Sequence, residues 1–390
     1  MKIDVLSQSG ATATQDLAKD IQALAETPHF IAVMMNCDLD VTPLVDVSKG
    51  TSLIGATSAL GAMSDAGACD GAVAFCITDA EGDYGVGYAP LSDSPNTAAA
   101  KATKDALSAA DRPGERPSLV WVMATPGCEE EVLAGIQSVI GSDTPIVGGS
   151  AADNTVEGNW FAFADTKEDG ATVAVATLFP SGRVQHAYQN GYAPSETVGL
   201  VTRVSGRTVH EIDHRPAAEV YHDWTGHAVP GVEEGQTEPR AILGESTFWP
   251  LGRSIAPLNG VPQFLLAHPS AVNPDGSIEL FANVFEGEKL HLMSGRVDGL
   301  VSRAGRVAAL AKDARSAPTD AIVGALMVYC GGCMFAVRDR IEDVVGGVQE
   351  ALPNVPFAGF FSFGEQGPVV EEGNRHGNLM ISCLVFTQDG

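Results

Sequence analysis

Positive charge is scarce in this chain of 390 residues. Only 23 Lys and Arg stand against 49 Asp and Glu, for a formal net charge of −26. A surface this acidic repels phosphate backbones and anionic headgroups, which argues against nucleic acid and membrane-surface partners; solubility accounts for it otherwise. Long apolar runs are missing too. Ala171–Phe179 and Ala321–Tyr329 are strand-sized, far short of the roughly 18 residues that a membrane helix needs, so no membrane insertion is expected. The opening MKIDVLSQSG has no basic-then-apolar order of a secretory signal. Cysteines are few and odd in number, seven in all, which fits a reduced, cytoplasmic protein better than a disulfide scaffold. Neither G-x-x-x-x-G-K-[ST] nor a G-x-G-x-x-G after a strand occurs, which disfavours nucleotide-driven chemistry. C-x-x-C-H is absent as well, so covalent haem attachment is not indicated.

Glycine is plentiful, with 43 residues, and it recurs in a pattern. Val355–Pro368, VPFAGFFSFGEQGP, reads as an apolar strand entering an aromatic, glycine-rich turn that carries Glu365. Weaker versions run from Pro145 to Asn154 and from Ser52 to Gly61. Around each lies the order strand, helix, strand, glycine turn, strand. In the first unit a helix carries Leu17, Ile21 and Leu24, and strands cover 29–36, 52–55 and 72–78. The second has strands 119–124, 145–147 and 171–179 and a helix over 128–140, whose Glu129, Glu130 and Glu131 sit where the helix dipole favours acids. The third has strand 321–329, a helix over about 334–352 and a last strand over 378–386. The predicted class is α/β, with repeated strand-helix-strand units in mixed sheets, as two domains (1–190 and 191–390) or one duplicated unit. Between the second and third units, 198–213 reads as a hairpin, 216–224 as a helix, 230–262 as loops, 277–293 as two strands and 301–312 as a helix.

Three constellations resemble catalytic motifs. His210-Glu211-Ile212-Asp213-His214 matches H-E-x-x-H, but zinc proteases need it on a helix. Here its alternating surroundings predict a strand, where histidines four apart cannot share an ion. Ser150 within GGSAA suggests a nucleophile elbow, yet the Asp153, Asn154 and Gly158 that follow favour turns over the required helix. Cys330-Gly331-Gly332-Cys333 lies at a strand end before a helix, where thiolates are stabilised, so thiol or redox chemistry is an alternative there. A zinc site would need a second ligand pair, and none has the spacing; no metal site is expected.

The residues also resemble a known family. GGSAADN at 148–154 is similar to the G-G-S-A-G-D signature of the FIST N domain. GFFSFGEQGP at 359–368 resembles the G-F-Y-T-Y-G-E-I-G-P signature of the FIST C domain. DHRPAAEVY at 213–221 resembles the join between them, and Asn374, His376 and Asn378 resemble the polar segment before the last FIST C strand. The resemblance implies a sensory module of bacterial signalling proteins that binds small ligands, amino acids among them. Some members bind haem and report nitric oxide to a histidine kinase, so haem and a kinase partner are alternatives it carries. The chain departs from the signatures at Ala152, Gln366 and His214, and Cys333 stands where the family often has arginine; a ligand acid held by that arginine would lose its contact. No kinase, cyclase or methyl-accepting segment is evident in the chain, so a separate output partner is expected.

The expected site is therefore a non-catalytic pocket at the glycine turns. Gly149, Ser150, Asp153 and Asn154 would supply polar contacts. Phe361, Phe363, Gly364 and Glu365 would supply stacking surface and a charge for an ammonium or hydroxyl. Cys330 and Cys333 are the candidates should the site be catalytic.

Overall fold

The computed structural model describes residues 1–47, 50–91, 94–167, 170–258, 261–314 and 321–388. Three repeats build most of it. The first runs β1 (Lys2–Gln8), α1 (Ala13–Gln22), β2 (Phe30–Asn36), α2 (Thr42–Val47), β3 (Ser52–Ser58), the hairpin β4 (Ala62–Ser64) and β5 (Gly67–Cys69), and β6 (Ala72–Thr78). The second runs β7 (Asp83–Pro90), α3 (Pro95–Ala109), β8 (Leu119–Ala124), α4 (Glu129–Ile140), β9 (Ile146–Ser150), β10 (Ala162–Phe163) and β11 (Thr172–Phe179).

The third repeat begins with β12 (Arg183–Asn190) and is then interrupted by an inserted, mostly antiparallel unit. That unit holds β13 (Ala193–Ser205), β14 (Thr208–Ile212), β15 (Arg215–Pro216), α5 (Ala217–Trp224), β16 (Arg240–Ala241), α6 (Leu243–Ser246) and β17 (Leu251–Leu258). It continues with β18 (Val261–Ala267), β19 (Pro269–Val272), β20 (Ile278–Leu280) and β21 (Lys289–Ser294). The repeat resumes with α7 (Val297–Asp313), β22 (Ile322–Cys330), α8 (Gly331–Val337), α9 (Ile341–Ala351), β23 (Phe357–Ser362), the hairpin β24 (Glu365–Val369) and β25 (Gly373–Gly377), and β26 (Met380–Thr387).

The three sheets share one plan. The edge strand (β1, β7 or β12) lies antiparallel to the repeat's last strand (β6, β11 or β26). That strand is antiparallel to β2, β8 or β22, and the latter is parallel to β3, β9 or β23. Each sheet is then extended by a strand from a neighbour: β10 joins β3, β24 joins β9 and β4 joins β23. The exchange runs in a closed ring, so each repeat completes the sheet of the one before it, and the first completes that of the third. Strands from both sides of residue 190 therefore share sheets: β12 pairs with β26, and β24 with β9.

The central strands are apolar on both faces because both faces are covered. One face of each sheet joins a common core in which Phe30, Trp121 and Phe360 are all buried. An aromatic pair bridges each junction: Phe30 with Tyr84 at 5.9 Å, Phe75 with Phe386 at 5.4 Å and Trp121 with Phe360 at 6.3 Å. The opposite faces pack on helices whose buried residues recur at helical spacing, such as Val132, Leu133, Ile136 and Ile140 of α4. The insertion has its own core around Val201, Ile212 and Tyr221. Among the described residues, no helix is long and apolar enough to cross a membrane.

Several expectations change. Gly148, Gly149 and Ser150 lie in β9 and not in a turn, and Glu365 opens β24. The reason is the exchange itself, which pairs Glu365 with Gly149 and Gln366 with Gly148. The glycines permit close packing of β9 on its other neighbours: a Cβ on Gly148 would lie 1.9 Å from the Val122 carbonyl oxygen of β8, and one on Gly149 would lie 2.7 Å from Ser362 Cβ at the end of β23. The expected loops at 230–262 contain β16, α6, β17 and the start of β18; residues 259 and 260 lie outside the described residues. His210 is in β14 and His214 follows it at φ 63°, so the H-E-x-x-H residues form no helix.

Candidate functional site

A cavity of about 450 Å³ lies where the insertion meets the third repeat. Cys330 reaches it from the end of β22, Phe335 from α8, Phe363 from the turn between β23 and β24, and Asn378 from the approach to β26. The insertion contributes Thr247 and Phe248 just after α6, His268 between β18 and β19, and Phe281 after β20. Val156 comes from a loop of the second repeat. Four phenylalanines and a histidine stand in its walls. Phe363 packs 6.4 Å from Phe335 and edge-on to Trp160 at 5.9 Å, while His268 meets Phe281 at 5.9 Å.

The polar groups of the cavity are largely spoken for. Asn378 Oδ1 accepts from the His268 backbone N–H at 3.1 Å, which fixes the amide orientation. Its Nδ2 is buried without a partner among the described residues. His268 Nε2 lies 2.9 Å from Ser246 Oγ, which itself donates to the Pro269 carbonyl at 2.7 Å. Burial holds the His268 imidazole down to about 4, so it is neutral at physiological pH. Burial first, and then the adjoining Cys333, push the Cys330 thiol well above its ordinary value. Behind Cys330 lies Glu365, fully buried, with its carboxyl bonded to Ser362 Oγ at 2.5 Å and Met380 N at 2.8 Å. Burial raises this carboxyl well above the carboxylate range. Expected as a charge on a pocket wall, it lies buried beneath the surface in an environment that favours the protonated form.

A second polar cluster adjoins the cavity. Arg207, at the tip of the β13–β14 hairpin, places Nη2 2.6 Å from both Glu129 Oε2 and Glu130 Oε2 in the first turn of α4. Ser150 Oγ donates to Glu129 Oε1 at 2.8 Å, and Asn283 N donates to Glu130 Oε1 at 2.8 Å. Burial opposes ionisation of both carboxylates, but the charges of His376 and Arg207 outweigh it and hold them below the ordinary range. Glu129, Glu130 and His376 bring one potential ligand atom each within 4.8 Å of one another. Arg207 already supplies a cation there, and an ion would have to compete with it.

The predicted residues divide between these settings. Phe363 and Cys330 line the cavity. Ser150 belongs to the Glu129 cluster, and Gly364 adjoins it: a Cβ there would lie 2.7 Å from His376 Cε1. The Asp153 carboxylate accepts from five successive backbone amides, Thr155 to Asn159, and so shapes the loop that carries Val156. Asn154 ties the second repeat to the first through Leu60 N, Asn36 Oδ1 and Asp38 Oδ2. Phe361 is buried edge-on to Tyr329 at 6.1 Å, and Cys333 is buried in α8 with Sγ 3.6 Å from Tyr192 Oη. His268, Thr247, Phe248, Phe281, Phe335 and Arg207 were not foreseen. A histidine closing the apolar run of β18 was a usable signal for the first; the others stand in no motif.

The FIST N domain profile matches residues 38–215 and the FIST C domain profile matches residues 217–368. The chain belongs to the FIST domain family, whose domains are sensor domains of signal transduction. No curated protein matches the sequence. Among solved structures, that of PurLQS from Thermotoga maritima aligns over 79% of this chain and 73% of that chain at 10% identity, with a TM-score of 0.22. A geometric likeness that low carries no argument.

Proposed function

Starting from membership of that family, we propose that the protein is a cytoplasmic sensor of bacterial signal transduction that binds one small molecule and catalyses no reaction. The ligand occupies the cavity between the insertion and the third repeat. The observation that carries this reading is the cavity of about 450 Å³ with four phenylalanines in its walls, lined also by Asn378, whose buried Nδ2 has no partner among the described residues. Pockets for small molecules are mostly apolar, with a few fixed polar groups, and an unsatisfied buried donor favours a bound acceptor. Because the cavity walls come from two units, occupancy biases how the insertion sits on the ring of repeats. That is how a ligand with differential affinity shifts a population, and it would be read by a separate partner such as a histidine kinase.

Two alternatives gain less support. A thiol enzyme needs a thiolate, whereas the surroundings of Cys330 keep it protonated. For haem, the histidine of the cavity is His268, and its Nε2 is engaged with Ser246 Oγ; the residues present do not fit an axial ligand. Native mass spectrometry and an absorbance spectrum of freshly purified protein test the proposal. A co-purified organic mass without a Soret band is expected. A Soret band, or a bound mass unaffected by substitutions at Phe335 and Asn378, would sink it.

A further inference from the structure

Resting on that assignment of the cavity, we infer that its ligand is an uncharged molecule with a flat apolar body and one hydrogen-bond acceptor, and that free amino acids are excluded. None of the described residues lining the cavity is Asp, Glu, Lys or Arg. A carboxylate or an ammonium entering it would leave water without meeting a counter-ion, which is heavily penalised. The adjoining charges offer no rescue, since Arg207 is already shared between Glu129 and Glu130.

The remaining polar inventory sets the ligand's complement. Thr247 Oγ1 donates to the Leu243 carbonyl at 2.7 Å, His268 Nε2 faces Ser246 Oγ, and Asn378 Oδ1 is spent on the His268 amide. Asn378 lines the cavity, and its Nδ2 is a buried donor without a partner among the described residues. The low basicity of His268 and the high pKa values of Cys330 and Glu365 agree, since each of these groups stays neutral. Phe248, Phe281, Phe335 and Phe363 supply flat walls for a planar body. Aromatic walls also attract cations, but Glu365, which neighbours Cys330 below the wall, is engaged with Ser362 and Met380. A cationic ligand is therefore an arm of the test.

The experiment compares matched probes that differ in charge: indole-3-acetamide, indole-3-acetate and tryptamine, together with benzamide, benzoate and benzylamine. Binding to the full chain is measured by ligand-observed NMR titration, with Asn378→Asp and Phe335→Ala as variants whose folding is checked by circular dichroism. Asn378→Asp retains the acceptor for the His268 amide and removes the free donor. The neutral carboxamides are expected to bind at least about 30-fold more tightly than their acids and amines, since an unpaired buried charge goes uncompensated. They should lose about tenfold in Asn378→Asp and weaken in Phe335→Ala. An acid or amine that binds as well as its carboxamide, and is weakened by Phe335→Ala, overturns the neutral class while leaving the cavity as the ligand site. Binding by no probe, or binding that neither variant affects, overturns the cavity assignment and this inference with it.

Discussion

Arg207→Ala tests the electrostatic link between the insertion and the ring of repeats. The guanidinium is mostly buried, with its side chain 18% exposed, and it bridges Glu129, 2% exposed, and Glu130, 28% exposed. Removing it leaves the Glu129 carboxylate with His376 and Ser150 Oγ but without its ion pair, and breaking a buried pair costs about 3–5 kcal/mol. Protonation of Glu129 caps that cost. Neutralising a carboxyl of ordinary value 4.5 at pH 7 costs about 1.4 kcal/mol per unit, or about 3.4 kcal/mol, and at pH 5 only about 0.7 kcal/mol. The sign follows from both states. In the wild type the carboxyl lies below its ordinary value, so its stabilisation is present above pH 4.5 and is lost as pH falls through the folded value. In the variant the buried carboxyl is raised, so the penalty is absent below pH 4.5 and grows as pH rises. Amide hydrogen exchange across residues 193–294 at matched chemical exchange time should show a loss of about 3 kcal/mol or more at pH 7 that is smaller at pH 5 by up to about 2.7 kcal/mol. A loss equal at both pH values, or below about 1 kcal/mol at pH 7, refutes the reasoning.

Further outcomes follow from other buried groups. Glu365→Gln replaces a neutral acid by a near-isostere. Because the raised folded pKa makes wild-type stability fall as pH rises above 4.5, the variant should gain on wild type by up to about 1.4 kcal/mol per pH unit in denaturant titrations between pH 5 and 8; parallel profiles would contradict the neutral state. Asp153→Ala removes the acceptor of five amides and should cost about 2–4 kcal/mol. Faster exchange at 155–159 and weaker probe binding through Val156 should accompany it, and unchanged exchange counts against the role given to Asp153. Gly364→Ala forces a methyl to 2.7 Å from His376 Cε1 and should lower stability by about 1–3 kcal/mol; a thermal midpoint equal to wild type would contradict that packing.

The repeats were legible because each carries doubly buried strands, which read as continuous apolar runs, and helices with an apolar stripe. Their exchange was not. Pairings such as Ala358 with Ser64 and Glu365 with Gly149 join residues more than two hundred apart, and no local pattern encodes them. That is why Gly148-Gly149-Ser150 read as a turn when its glycines in fact admit a neighbouring strand. The aromatic signature drew attention to Phe363 and the thiol motif to Cys330, which lie at the same end of the parallel pair β22 and β23. The insertion's share of the cavity was hidden. Thr247 and Phe248 follow a short helix in a Gly- and Pro-rich stretch, and His268 becomes meaningful only through Asn378, 110 residues away in sequence. Glu365 looked like a charge for a ligand because a sequence shows the carboxylate and not its burial.

The most direct test of the ligand site is a crystal structure of the protein soaked with indole-3-acetamide. The expected placement has the ring between Phe335, Phe363 and Phe281, with the carboxamide oxygen within hydrogen-bond distance of Asn378 Nδ2. A cavity that stays empty at saturating probe, or an occupant whose oxygen turns away from Asn378, would contradict it.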